Sequence, residues 1–304
     1  MIYTVTFNPA IDYVMQTKNL KTGITNRSLK EEYFYGGKGI NVSTILHRLG
    51  VETTALGFIS GFTGDALAAG LKEEGLTTDF IKLAEGFTRI NVKIKDEIIK
   101  DKEETEINGQ GPTITADAVE ALFRKLDTLT GEDMLVISGS VPSSMPTDTY
   151  QQILRVLTKK NLPVVVDATG QLLLQVLQYH PFLIKPNNDE LADMLGKPMD
   201  TTEQIIAGAK TLRKKGSQNV LVSRGAKGAL LVTEDDEIIL QDAIKGNAIN
   251  TVGAGDSMIA GFLSGYIKTK DYHYALHLGT AAGSATACSP GLANAKEIER
   301  RMSL

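Results

Sequence analysis

The chain has 304 residues, 42% of them hydrophobic and 22% charged, with 32 Lys and Arg against 36 Asp and Glu for a formal net charge of −4. That length supports one large α/β core with a small attached subdomain, and the charge leaves no basic stripe for counterion release, which excludes nucleic acid as a partner. No apolar run approaches the ~20 residues that cross a bilayer, which excludes a membrane anchor, and the single cysteine, Cys288, cannot form an internal disulfide, which suits a reducing cytoplasm.

The chain opens on Ile2-Tyr3-Thr4-Val5-Thr6-Phe7, which alternates like a strand and lacks the basic start of an export signal. Asn8-Pro9-Ala10-Ile11-Asp12 follows directly. Ligands of open parallel sheets lie at the carboxyl ends of strands, so Asp12 is placed to accept hydrogen bonds from sugar hydroxyls, although turn chemistry alone also explains it. Two stretches, 13–34 and 88–107, break the strand and helix alternation of the rest, and Ile90-Val92-Ile94 between charged residues reads as a strand with one wet face. Both are assigned to a small sheet apart from the main core.

Gly36-Gly37-Lys38-Gly39-Ile40-Asn41 comes next. Its glycines let the backbone approach a ligand closely, Lys38 offers a point charge and Asn41 an amide. The spacing is neither a Walker A loop nor a dinucleotide fingerprint, and a flexible turn with a solvated lysine competes with a binding role. Apolar residues at helical spacing run from Asn41 to Leu49 and, after Thr115, from Ala116 to Leu129. Short Val-, Ile- and Leu-rich runs at Val51 to Ile59, Met134 to Ser138, Val164 to Asp167, Phe182 to Ile184 and Val220 to Ser223 read as strands buried on both faces. Thr201 with Gln204 forms a capping box for a helix reaching Lys215. This order predicts an α/β fold: a doubly wound, mainly parallel sheet flanked by helices, one domain over 1–304 with a β-sheet lid from about 12–34 and 87–109.

Lys185-Pro186-Asn187-Asn188-Asp189-Glu190 follows one of those strands. Asn187 and Glu190 stand one helical turn apart, a spacing that suits Mg²⁺ held through water and equally suits an Asn cap with a favourable first-turn Glu. Near the end, Asn250-Thr251-Val252-Gly253-Ala254-Gly255-Asp256 leads into an apolar helical run. Gly253 and Gly255 let successive amides turn toward one point, to which the helix adds its positive end, making an anion pocket. Asp256 falls in the first turn, where the dipole favours the ionised carboxylate. A proton acceptor beside a phosphoryl cradle suggests phosphorylation of a hydroxyl; an Asp that merely caps the helix explains the local pattern as well. His273 and His277 lack the Glu of a zinc-protease helix and read as a helical face.

With these segments in place, the whole chain resembles the PfkB, or ribokinase-like, family of sugar kinases, Gly36 to Asn41 being similar to its first signature and Asn250 to Asp256 to its second. The resemblance implies ATP as phosphoryl donor, Asp256 as catalytic base and the amides from Gly253 through Ala254 and Gly255 to Asp256 as anion hole. It makes Asn187 and Glu190 the magnesium-associated pair and Lys185, Ser223, Gly225, Gly228 and Gly283 nucleotide contacts. Thr88-Arg89-Ile90-Asn91-Val92-Lys93 and Glu104 to Pro112 are similar to segments of the 1-phosphofructokinase subgroup. That similarity implies a cytoplasmic kinase acting on the 6-hydroxyl of fructose 1-phosphate, with tagatose-6-phosphate kinase and 6-phosphofructokinase activities as alternatives. Carried over residue by residue, Asp12, Gly37, Gly39 and Asn41 contact the sugar, and Lys38, Arg89, Ser140 and Arg27 its phosphate. Family analogy, with the exposed apolar face of a small lid, implies a homodimer joined through the lids. A nicotinamide-dependent oxidoreductase lacks its glycine fingerprint here, and a sugar-phosphate sensor has no need of Asp256, Asn187 and Glu190 together.

Overall fold

Strand and helix residues alternate along the chain, and the computed structural model, which describes residues 1–96 and 104–304, folds them into two sheets. In chain order the first part contains β1 (Ile2–Thr6), β2 (Ala10–Thr17), β3 (Lys30–Gly36), α1 (Lys38–Arg48), β4 (Thr53–Ser60), α2 (Gly61–Glu73), β5 (Thr77–Thr78), β6 (Ile81–Leu83), β7 (Arg89–Asp96) and β8 (Glu104–Asn108). Then follow α3 (Ala116–Asp127), β9 (Met134–Ser138), α4 (Thr149–Thr158), β10 (Val164–Asp167), α5 (Gly170–Val176), β11 (Leu183–Ile184), α6 (Asn188–Leu195), α7 (Thr202–Lys214), β12 (Asn219–Ser223), β13 (Ala229–Val232), β14 (Ile238–Gln241), α8 (Ala254–Thr269), α9 (Tyr272–Ala287) and α10 (Ala295–Met302). Part of the expected lid, 97–103, lies outside the described residues.

The described residues form a ten-stranded main sheet in the order β14-β13-β12-β11-β10-β9-β1-β4-β5, with β6 also paired to β4. Pairing is parallel from β12 to β5, and β13 and β14 close one edge antiparallel. Both faces are covered, which is why these strands read as continuous apolar runs. In β9, Met134 and Val136 face the layer of α1, α8, α9 and α10, whereas Leu135 and Ile137 face the layer of α3 to α7. Burying each such side chain contributes roughly 1.5–3 kcal/mol.

Two details differ from the sequence reading. Helix α1 begins at Lys38 rather than Asn41, because Gly37 takes φ 130°, a value closed to most side chains, and starts the helix inside the glycine run. Asp12 lies within β2 of the lid rather than in a loop after β1.

The lid is a four-stranded sheet in the order β3-β2-β7-β8. Because side chains alternate across a strand, its register sorts them cleanly. Asp12 pairs with Asn91 on the face toward the main domain, while Tyr13, Tyr33, Val92 and Ile107 share the opposite face. Asn91 and Lys93 are buried, whereas Tyr33 and Ile107 are 59% and 61% exposed.

Candidate active site

Where β-strand ends, the glycine segment and the lid meet, a cavity of about 820 Å³ opens, lined among others by Asp12, Lys38, Arg89, Lys185, Glu190 and Asp256. Its floor is the start of α8. Gly253 caps that helix with φ 77°, a left-handed conformation that favours glycine, and a Cβ there would press on Leu292 Cδ2. The first-turn amides of Gly255 and Asp256 have no intrahelical partner and open on the cavity with the positive end of the helix dipole.

Asp256 is 6% exposed, and its Oδ2 accepts a hydrogen bond of 2.8 Å from Asn41 Nδ2 on α1. Burial, together with the charge of Asp167, pushes its pKa up to about 6, against the smaller opposing effects of Asn41, Lys38 and Lys185. Here the local expectation fails: desolvation outweighs the helix dipole that favours the ionised form. The result suits a general base better than an ordinary carboxylate, since proton acceptors work best with a pKa near the operating pH.

Asp167 is the residue the sequence reading missed. It ends β10, is 3% exposed, and receives Lys38 Nζ at 3.0 Å and Lys185 Nζ at 3.4 Å. Its burial alone would raise its pKa, but Lys185 and Lys38 outweigh that and hold it below the usual carboxylate value. Lys38 is raised in turn: burial opposes its charge, and Asp167, with smaller help from Asp256 and Glu190, prevails. The signal was present, since an Asp closes an otherwise apolar strand at the carboxyl end where ligands collect. Lys185 Nζ also lies 3.1 Å from where a Gly255 Cβ would sit, so this lysine faces the anion pocket directly.

Asn187 and Glu190 form a complete capping box on α6: Asn187 Oδ1 accepts from the Glu190 amide at 2.8 Å and Glu190 Oε2 from the Asn187 amide at 2.9 Å. Glu190 Oε1 accepts no hydrogen bond among the described residues, and the side chain still lines the cavity. No group of three or more His, Cys, Asp or Glu capable of holding a metal occurs among the described residues. The donors therefore fit an ion such as Mg²⁺ that keeps most of its waters, better than one caged by protein.

The lid closes the other side. Asp12 Oδ1 accepts from Asn91 Nδ2 at 2.8 Å, and Arg89 donates from Nε to the Asn8 carbonyl at 3.2 Å. Burial draws the Arg89 pKa down, with Asp12 opposing. A neighbouring cavity of about 630 Å³, lined mainly by small and apolar groups including Gly228, Ala254, Met258 and Gly283, shares Ser223, Gly225, Thr251 and Gly255 with the first. Cys288 lines this second cavity, half-buried. Of the other expected contacts, Gly37 lines the main cavity and Gly39 is buried in the first turn of α1, while Arg27 and Ser140 are exposed in loops after β2 and β9 and line neither cavity.

The chain as a whole is similar to known proteins. The model of the pfkB family of carbohydrate kinases matches residues 5–299. A 1-phosphofructokinase of Bacillus subtilis is 42% identical over 300 residues, covering 99% of this chain and 97% of the relative. A D-tagatose-1-phosphate kinase of Bacillus licheniformis is 37% identical, covering 100% and 98%. Among solved structures, phosphofructokinase-2 of Escherichia coli in complex with substrates and products superposes with a TM-score of 0.93 at 26% identity, over 99% of this chain and 98% of that one. The chain belongs to the pfkB family of carbohydrate kinases.

Proposed function

We propose that the protein transfers the γ-phosphoryl group of ATP to the 6-hydroxyl of fructose 1-phosphate, giving fructose 1,6-bisphosphate and ADP. One observation carries the reading: a buried carboxylate, Asp256, with its pKa near 6, stands beside the free amides of a helix N-terminus. The two cavities meet at Ser223, Gly225, Thr251 and Gly255, a path for a triphosphate between a nucleoside and a sugar. The 42% identical relative named 1-phosphofructokinase supports the choice of sugar.

In this reading Asp12 and Asn41 orient the sugar hydroxyls, and Arg89, which donates to the Asn8 backbone carbonyl, takes the phosphate already on C1. Lys38 lends charge from the Asp167 side, and Arg27 and Ser140 would join only through movement of their exposed loops. The 6-oxygen attacks phosphorus as the bond to the bridging oxygen of ADP breaks, and its proton passes to Asp256. Because phosphoryl transfer has a loose transition state, positioning and charge matter more than base strength. The amides of Gly255 and Asp256 and the ammonium of Lys185 face the transferring oxygens and need no reorganisation during the reaction. Glu190 would hold magnesium through water; the ion would neutralise phosphate charge.

The lid's exposed apolar face, Tyr33, Ile90 and Ile107, needs cover, so the protein pairs lid to lid as a homodimer. No described helix is long and apolar enough to cross a membrane, and the reaction we propose is one of cytoplasmic sugar metabolism. Tagatose 1-phosphate is the second reading, favoured by the 37% identical relative of that name, and it differs from fructose 1-phosphate only at C4. Phosphorus NMR of the product mixture tests the proposal: a new monoester resonance coupled to the C6 protons is expected. Phosphorylation at any other carbon, or formation of inorganic phosphate alone, would overturn it.

A further inference from the structure

The guanidinium of Arg224 stands on the wall of the reaction cavity without an anion to balance it. Its side chain makes one hydrogen bond, from Nη2 to Thr202 Oγ1 at 2.9 Å, and its Nε–H is buried with no partner. No carboxylate pairs with it among the described residues, although Asp189 and Glu190 line the same cavity. Beside it, Asn188 Oδ1 is also buried and unpartnered. A half-buried cation whose one acceptor among the described residues is a neutral hydroxyl has given up water for little in return, which points to an anionic ligand.

The position of Arg224 says which ligand. Its backbone neighbours Ser223 and Gly225 border both cavities, at the neck between the apolar chamber and the anion pocket. Its own side chain lines only the reaction cavity, not the apolar chamber. The backbone fixes it there: the Arg224 amide donates to the Gly228 carbonyl at 2.8 Å, and Asn187 bridges to Ser223 in parallel register. Of the cations assigned to the sugar's phosphate, by contrast, Arg89 sits on β7 of the lid and Lys38 at the start of α1 against Asp167. Resting on the kinase reading above, we infer that Arg224 binds the β-phosphate of the nucleotide, the phosphate closest to the reaction that stays with the leaving group. Its Nε–H and free Nη1 donate to non-bridging oxygens there. In a loose transition state negative charge builds on the departing ADP, so the guanidinium stabilises the transition state as well as the bound nucleotide.

The test is calorimetric binding of MgADP and of AMP, with steady-state turnover, on wild type, R224M and R224Q. R224Q keeps a donor for Thr202 without the charge and so covers the case in which R224M does not fold. Both variants should lose about tenfold in MgADP affinity and at least as much in kcat, with AMP binding and the KM for fructose 1-phosphate within about twofold of wild type. MgADP affinity and kcat unchanged in either folded variant would overturn the assignment. An equal loss for AMP would also overturn it, since AMP carries no β-phosphate. Wild type that binds no MgADP would instead sink the kinase reading, so the two failures are separable.

Discussion

At the scale of single residues, the consequential feature is that Asp256 ionises near pH 6 rather than at its ordinary value of 3.8. Because the base must be ionised to accept a proton, kcat/KM should rise with pH through about 6 and level off above it. An acid limb centred near 4 would show that burial does not shift this group. Asp256→Asn removes the acceptor and should cut turnover by at least the ~10²–10⁴-fold typical of a positioned acid–base group. The same substitution has a second signature. A carboxyl whose folded pKa lies above its unfolded one binds its proton more tightly when folded. Its charge therefore costs stability, a cost that accrues as pH rises from about 4 to about 6 and is complete at pH 8. Asp256→Asn should accordingly stabilise the fold at pH 8, by roughly 3 kcal/mol at most, with the gain vanishing toward pH 4. Urea melts at the two pH values measure it, and a variant less stable than wild type at pH 8 would contradict the account. Asp256 was legible from Gly253-Ala254-Gly255-Asp256 because a glycine turn before an apolar helix is a local pattern. Its pKa was not, because the burial and the Asp167 charge that set it come from β10 and α1, far away in sequence.

At the scale of elements, α6 shows how one arrangement serves two purposes. The Asn187 and Glu190 capping box satisfies two orphan amides, and the sequence left this open against a magnesium role; the geometry makes them compatible, since the cap uses Glu190 Oε2 and leaves Oε1 without an internal donor. Glu190→Gln keeps an acceptor for the cap and removes only the charge. The magnesium concentration for half-maximal rate should rise several-fold while the melting temperature barely moves. An unchanged magnesium titration would leave only the cap. The elements themselves were largely readable: strands β9, β10 and β12 and the Thr201 box appear where buried runs and caps place them. The start of α1 was not, because three glycines read as a loop; in the fold Gly37 takes φ 130° and the Ile40 amide donates to Thr6 Oγ1 of β1.

At the scale of the whole molecule, the lid links recognition to assembly. Its inner face carries Asp12 and Asn91 into the site, and its outer face leaves Tyr33, Ile90 and Ile107 uncovered, so the proposed homodimer predicts a sedimentation coefficient for two chains. Ile107→Glu places a charge on that face and should yield monomers; a monomeric wild type, or a variant that remains a dimer, would contradict the lid-to-lid arrangement. The doubly wound sheet and separate lid were legible because period and polarity change where the chain leaves the main core. The meeting of Lys38 and Arg89 with Asp256 was not, since residues 12, 38, 89, 167 and 256 converge only once the sheet is wound. That convergence is the centre of the account. The most direct test is kcat/KM measured by ADP release over fructose 1-phosphate, tagatose 1-phosphate, fructose 6-phosphate, tagatose 6-phosphate and free fructose. The account predicts the highest value for fructose 1-phosphate, because a phosphate held at C1 leaves the 6-hydroxyl facing Asp256. A higher value for either 6-phosphate or for free fructose would contradict it, and a higher value for tagatose 1-phosphate would overturn the choice of fructose.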